Sequence, residues 1–230
     1  MALSTQESEE DSQYILIATI DNAKNISNVL KAILSKDKEE CLTIFGGGSS
    51  QGGNPALKIC YAGYGSPLLL MLEENGVLTD CSIKTLEPDE TLDFNFTSAN
   101  VINKIIMKSD CLKEAFQELD MTSEVLEILM SPDKPHFRMS TYGLAGSAFS
   151  DFPRESDLVE SFQCTQTQSN RYKLSLLKPS VKALMVSCKV SIRTDHRGFL
   201  SLQYMIRNED GQISFVEYYC APDEESAEND

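Results

Sequence analysis

The stretch "GFLSLQYMIRNEDGQISFVEYYCAPDEE", residues 198–225, alternates in character, turns at Gly211 and alternates again. Leu200, Leu202, Tyr204 and Ile206 share one face of a strand, since successive side chains point to opposite sides of the backbone. The other face reads Phe199, Ser201, Gln203, Met205 and Arg207, which makes Met205 an apolar side chain on a polar face. "NEDG" carries the turn chemistry of a hairpin. The same figure stands earlier as "PLLLMLEENGVLTDCSIKTLEPDE", residues 67–90. Gly76 pairs with Gly211 at an offset of 135, and both copies end in a strand followed by "PDE". Self-similarity of this kind marks repeated structural units.

Working outward, "YILIATIDNAKNISNVLKAIL" (14–34) resembles "ETLDFNFTSANVINKIIMKS" (90–109) at an offset of 76. Leu16, Ala18 and Ile20 then fall on Leu92, Phe94 and Phe96, alternate positions of one strand face. Ile26, Val29 and Leu30 fall on Ile102, Ile105 and Ile106, an i, i+3, i+4 helical stripe. Each copy is thus expected to run from a strand into an amphipathic helix, with Asp21 or Asn22 and Ser98 as N-caps. The offsets of 76 and 135 leave the first copy 59 residues short. The second copy holds extra strands at "SEVLEILMSPDK", "PHFRMSTYG" and "LVESFQCTQ" and a short helix near "SLLKPSVKA".

Beside this shortfall lies "CLTIFGGGSSQGGNPALKICYAG", residues 41–63. A phosphate cradle needs a strand, then glycines, then a helix whose amides face the anion. Here the order is reversed, with a helix end before Gly46 and a strand after the loop, and G-K-[ST] is absent. A flexible connection accounts for the loop.

The chain has 230 residues and a net charge of −15, with acids clustered at both ends. No apolar run reaches the roughly 18 residues of a membrane span. Seven cysteines, odd in number and never spaced as CxxC, suit reduced thiols in a cytosolic or nuclear protein. His136 and His196 read as exposed turn residues, so no zinc site and no catalytic triad is expected. Carboxylate pairs that a metal-dependent nuclease would need occur at Asp37/Glu39, Asp89/Asp93 and Glu209/Asp210. Each fits an acidic turn or strand entry, so no catalytic residue, metal or cofactor is assigned.

Three stripes carry lysine opposite the apolar positions of the expected helices. They are Lys24 and Lys31, Lys104 and Lys108, and Lys178 and Lys182. No acid interrupts them although acids outnumber bases 35 to 20. Lysines spaced along a helix can meet phosphates without reading bases.

A tandem repeat of strand, helix, further strands and closing meander, with lysines on its helices, resembles the DNA sliding clamps (PCNA-like). "TLDFNFTSANVINKIIMKS", "ELDMTSEVLEILMSPDKPHFRMSTYG", "NRYKLSLLKPSVKALMVSCKVSIRTDHRGFLSLQYMIRNEDGQISFVEYYC", "CYAGYGSPLLLMLEENGV" and "IDNAKNISNVLKAI" are similar to the Rad-one subunits of the heterotrimeric nine-one-one checkpoint clamp. The resemblance covers nearly everything outside the tails and implies an α+β clamp fold of two tandem domains, the first truncated. The implied boundaries are a disordered acidic tail over 1–12, a shortened first domain over 13–87, a linker over 88–91, a second domain over 92–221 and a disordered acidic tail over 222–230.

The resemblance further implies a nuclear, non-catalytic subunit of a ring that encloses double-stranded DNA without sequence specificity. Its partners would be two sister subunits, a clamp loader, and checkpoint and repair proteins, with no membrane role. DNA would face Lys24, Lys31, Lys104, Lys108, Lys178 and Lys182. In such clamps partner peptides bind the outer wall beneath the linker, which points to Met205 and Phe215. Subunits would join through the strand at 76–87 and one near 145–152. The alternatives are a 3'-5' DNA exonuclease, an activity attributed to the family, and a regulatory isoform that does not close a ring.

Overall fold

The computed structural model describes residues 9–21, 23, 26–27, 29, 56–74, 76–87, 96–120, 122–144, 146–208 and 211–223. The chain divides into two compact units, with the second beginning its continuous run at Phe94. The expected linker at 88–91, the glycine loop at 46–53, residues 1–8 and 224–230 of the expected tails, and Lys24 and Lys31 lie outside the described residues. The rest of those tails is ordered, against expectation: Glu9–Gln13 form a 3-10 turn whose Asp11 pairs with Lys58 at 2.6 Å, and Asp223 pairs with Lys173 at 3.5 Å.

The first unit holds one antiparallel sheet in the order β1–β2–β3–β4, formed by Leu16–Ile20, Ala56–Tyr61, Leu68–Glu74 and Val77–Ile83. Leu57, Cys60, Leu70 and Leu72 are buried in its core. Ala23 and Ser27, helical residues after β1, are buried too. Gly76 takes φ +80° in the tight β3–β4 turn, a backbone shape natural only to glycine.

The second unit begins with β5 (Val101–Lys108) and α1 (Ser109–Glu118). It continues through β6 (Val125–Met130), β7 (Phe137–Gly143), β8 (Gly146–Phe152), β9 (Val159–Cys164) and β10 (Gln168–Lys173). A short helical run follows, made of α2 (Leu174–Leu177), one 3-10 turn at Lys178–Ser180 and α3 (Val181–Val186). The closing meander is β11 (Lys189–Asp195), β12 (Leu200–Arg207) and β13 (Ile213–Cys220). Two antiparallel sheets result, ordered β13–β12–β11–β5–β9 and β10–β6–β7–β8. Leu200, Leu202, Tyr204 and Ile206 are all buried, as the alternation of β12 requires. The Tyr204 hydroxyl meets Ser180 Oγ at 3.1 Å, which places the α2–α3 run on this core face. α1 lies beside that run, with Ser109 Oγ 2.7 Å from Ser187 Oγ and Lys113 Nζ donating to the Ser187 carbonyl at 3.1 Å.

The segment 98–109 is a correction. The isoleucine stripe predicts a helix there, but Ser98–Asn100 form a 3-10 turn and Val101–Lys108 form a strand. Ile102, Ile105 and Ile106 fit a helical stripe by coincidence of spacing. Asn103, Ile105 and Met107 are fully buried while their neighbours are half-buried or, at Lys108, exposed, a period of two. The run is also rich in β-branched residues, which are stiff at χ1 and favour strands. The helix starts one element later, where Leu112, Ala115 and Phe116 make the buried i, i+3, i+4 stripe.

The internal repeat consequently has a different offset. Leu16 and Ala18 take the places of Ile105 and Met107, judged by their partners on β2 and β11. That offset is 89, and against 135 across the β4 and β13 hairpin arms it leaves the first copy 46 residues short. β1–β2–β3–β4 thus repeats β5–β11–β12–β13 strand for strand. In the first unit, the described residues contain no counterpart of β9 and none of the β10–β6–β7–β8 sheet.

His136 is a second correction. It is 3% exposed, not an open turn residue. Its Nδ1 accepts the Arg154 amide at 3.4 Å and its ring lies edge-on to Phe162. His196 is exposed in the Asp195–Gly198 turn, as expected.

Candidate nucleic-acid and partner interfaces

The five-stranded sheet has a helix-covered face and an opposite face, and the candidate lysines divide between them. Lys178 and Lys182 belong to the α2–α3 run, Lys178 exposed and Lys182 half-buried. Leu177, Ser180, Ala183 and Leu184 form the buried side of that run. Lys178 also lines a polar recess of about 360 Å³ with Lys173, Ser175, Thr122 and Asp223. Lys173 pairs with Asp223 at 3.5 Å within it.

Lys104 and Lys108 are not helical. They alternate with buried Asn103, Ile105 and Met107 along β5, so they project from the face away from the helices. The basic stripe expected of a second helix therefore does not exist. The true helix α1 exposes Asp110, Glu114, Gln117 and Glu118, and its Lys113 is paired with Asp110 at 2.9 Å. The sequence signal was available in the acids of "SDCLKEAFQE", but placing the helix one element early hid it.

On the face away from the helices, residues line up in rows across the strands. Phe215 on β13 is directly opposite Met205 on β12, Met205 is opposite Lys189 on β11, and Lys189 is opposite Lys108 on β5. Phe215 is 58% exposed and Met205 is half-buried. Both expected partner-binding residues are therefore neighbours on one surface. Lys189 reaches Glu160 at 2.8 Å.

Two rows away the surface is closed by a residue that sequence reasoning did not single out. Phe96 packs at a tilt against Tyr219 with ring centroids 5.4 Å apart, and the Arg193 guanidinium sits 5.6 Å from the centroid of the Phe96 ring. Beneath them Arg193 and Ser201 bond Glu217. Burial works to raise the Glu217 pKa, but hydrogen bonds from Tyr219 and Ser201 and the Arg193 charge hold its carboxyl below the usual range. Between this cluster and Met205, Ser191 Oγ is buried without a hydrogen-bond partner among the described residues, as is Arg193 Nε.

At the far end of the meander, Asp195 is fully buried and organises the β11–β12 turn. Its carboxylate accepts the amides of Arg197 and Phe199 at 2.9 and 3.0 Å and the Arg197 guanidinium at 2.8 and 2.9 Å. Gln168 Nε2 and the Tyr172 hydroxyl donate from β10 to the Asp195 and Gly198 carbonyls, at 2.9 and 2.7 Å.

The carboxylate pairs Asp37/Glu39, Asp89/Asp93 and Glu209/Asp210 lie outside the described residues. Among the described residues no group of three or more His, Cys, Asp and Glu side chains could hold a metal ion. No helix among them is long and apolar enough to cross a membrane.

Residues 38–206 match the family of repair proteins described as Rad1/Rec1/Rad17, well over half of the 230-residue chain. The chain belongs to this family. "Cell cycle checkpoint protein RAD1" of Homo sapiens is 54% identical over 281 positions, covering 100% of both chains. "DNA damage checkpoint control protein rad1" of Schizosaccharomyces pombe is 34% identical over 72% of this chain and 52% of its own. "DNA repair exonuclease REC1" of Mycosarcoma maydis is 27% identical over 76% of this chain and 49% of its own. The family places the chain among DNA-repair and cell-cycle checkpoint proteins, and its α+β fold of antiparallel sheets with few helices is the PCNA-like clamp fold. An alignment of 281 positions against 230 residues leaves at least 51 positions with no residue of this chain. That agrees in size with the shortfall of 46 between the two repeats.

Proposed function

We propose that the chain is a subunit of a DNA-encircling checkpoint clamp, loaded at damaged DNA in the nucleus as a platform for signalling and repair factors. The observation that carries this is the repeated sheet: one strand order occurs twice, β1–β2–β3–β4 and β5–β11–β12–β13, each copy with buried helical residues directly after its first strand. Enclosure would retain the protein on double-stranded DNA, so each phosphate interaction can be weak, in keeping with a net charge of −15. Lys178 and Lys182 on the helix face are the described candidates for such interactions.

Met205 and Phe215, with the unsatisfied Ser191 hydroxyl beside them, suit a partner peptide on the opposite face. An adaptable methionine next to a rigid aromatic makes a good anchor, and a buried hydroxyl gains from a partner. Two sister subunits would join at the edges β4 and β8. β4 belongs to the shortened unit, so the β8 edge is expected to bind its neighbour fully and the β4 edge weakly. Co-expression with both sister subunits and native mass spectrometry test this; a closed trimer of full affinity counts against a weakened β4 edge, and no association at all counts against the clamp role.

Catalysis is not part of this proposal. The name of the Mycosarcoma maydis relative favours a nuclease instead. Incubating the purified chain with labelled DNA and magnesium or manganese separates the two, and metal-dependent digestion that carboxylate variants abolish would replace the non-catalytic role.

A further inference from the structure

We infer that the outer edge of β1 is a self-association site, at which the β1 strands of two copies of this chain pair antiparallel. Its counterpart in the second unit, β5, is not an edge, since β9 pairs with it antiparallel from Asn103 opposite Cys164 to Met107 opposite Val159. The fold therefore provides for an antiparallel strand at this position. Among the described residues β1 pairs with β2 alone. Among the described residues, a strand that is interior in one copy of the repeat is a border in the other.

The composition of β1 identifies the occupant. Among the described residues the three sheets have five other edge strands, and each bears charge: Asp80 in β4, Asp151 in β8, Glu160 in β9, Arg171 in β10 and Glu217 in β13. Charged side chains on an edge discourage pairing with another chain. β1 reads LIATI, with no charge, glycine or proline, and Ile15 before it extends the uncharged run. Ile15 is 74% exposed, Leu16 49% and Ile17 38%. Such a segment is complementary to itself. A two-fold axis at Ala18 sets Leu16 of each copy against Ile20 of the other and Ile17 against Thr19. The isologous arrangement closes at two copies and uses up both edges. It also brings together two chains that each carry a net charge of −15, which repel. Association should therefore strengthen with added salt, whereas an interface built on ion pairs would weaken.

Sedimentation velocity on the full chain across a concentration series, at low and high salt, tests this. The expected result is a monomer–dimer equilibrium that shifts towards dimer with salt. Thr19→Glu is expected to abolish the dimer. Thr19 is exposed, so the new carboxylate charges the border without entering the core. Thr79→Glu, on the exposed edge β4, is expected to leave the dimer intact. Far-ultraviolet circular dichroism and a melting curve confirm that each variant is folded. In hydrogen exchange, the amides of 16–20 are expected to gain protection with concentration. A monomer at every concentration, an open-ended polymer, a dimer that survives Thr19→Glu in the folded variant, or β1 amides equally protected at all concentrations would each overturn the inference.

Discussion

Met205 and Phe215 are cross-strand partners, directly opposite each other on β12 and β13, on the face of the sheet that carries no helix. Neither fills the core: the core face of β12 is Leu200, Leu202, Tyr204 and Ile206. Removing them should therefore cost little stability.

Met205→Ala and Phe215→Ala are each expected to weaken binding of a clamp-interacting peptide by about tenfold, or about 1.4 kcal/mol, leaving DNA retention and melting temperature near those of the parent. Fluorescence anisotropy with a labelled peptide measures the first, and loss of binding only in an unfolded variant would remove the pair from the proposed pocket.

For DNA, the two faces make opposite forecasts. Lys178→Glu with Lys182→Glu in the assembled clamp should weaken retention on closed circular DNA and lower the slope of log K against log salt by about 1 for each phosphate no longer bound. Lys104→Glu with Lys108→Glu should not, because β5 turns both away from the helix face. Equal effects of the two double variants would contradict this division.

Asp195→Ala is expected to destabilise the second unit by about 3 kcal/mol, since two backbone amides lose their acceptor and the Arg197 guanidinium its carboxylate. Urea titration followed by tyrosine fluorescence reads this directly. A change within the range of an ordinary surface substitution would show that the turn holds without its anion.

Glu217 gives the stability a pH dependence of definite sign. Its folded pKa is lowered, so the stabilisation is fully present above the unfolded value of about 4.3 and is lost as pH falls through the folded value. Glu217→Gln is expected to flatten that part of the acid profile while leaving the neutral range parallel to the parent. An unchanged acid limb in denaturant titrations would show that Glu217 is not coupled to folding.

The meander was legible because strand alternation and turn chemistry are local. Ile206, Gly211 and Cys220 each stand where period two and a hairpin place them. The start of the second copy was not, because Ile102, Ile105 and Ile106 satisfy both periods, and only pairing with β11 and β9 decides between them. The same ambiguity put Lys104 and Lys108 on an expected helix where the structure has β5. Met205 and Phe215 could be found because a polar face makes one apolar residue conspicuous. Phe96 could not, since its partners Tyr219 and Arg193 are remote in sequence. Nor could the burial of His136, which depends on the Arg154 amide and Phe162 arriving from the β8–β9 connection and β9.

The bonds from Gln168 and Tyr172 to the β11–β12 turn join the two sheets of the second unit at one end like a hinge pin. The second unit should consequently resist digestion as one block when a protease nicks the chain before it.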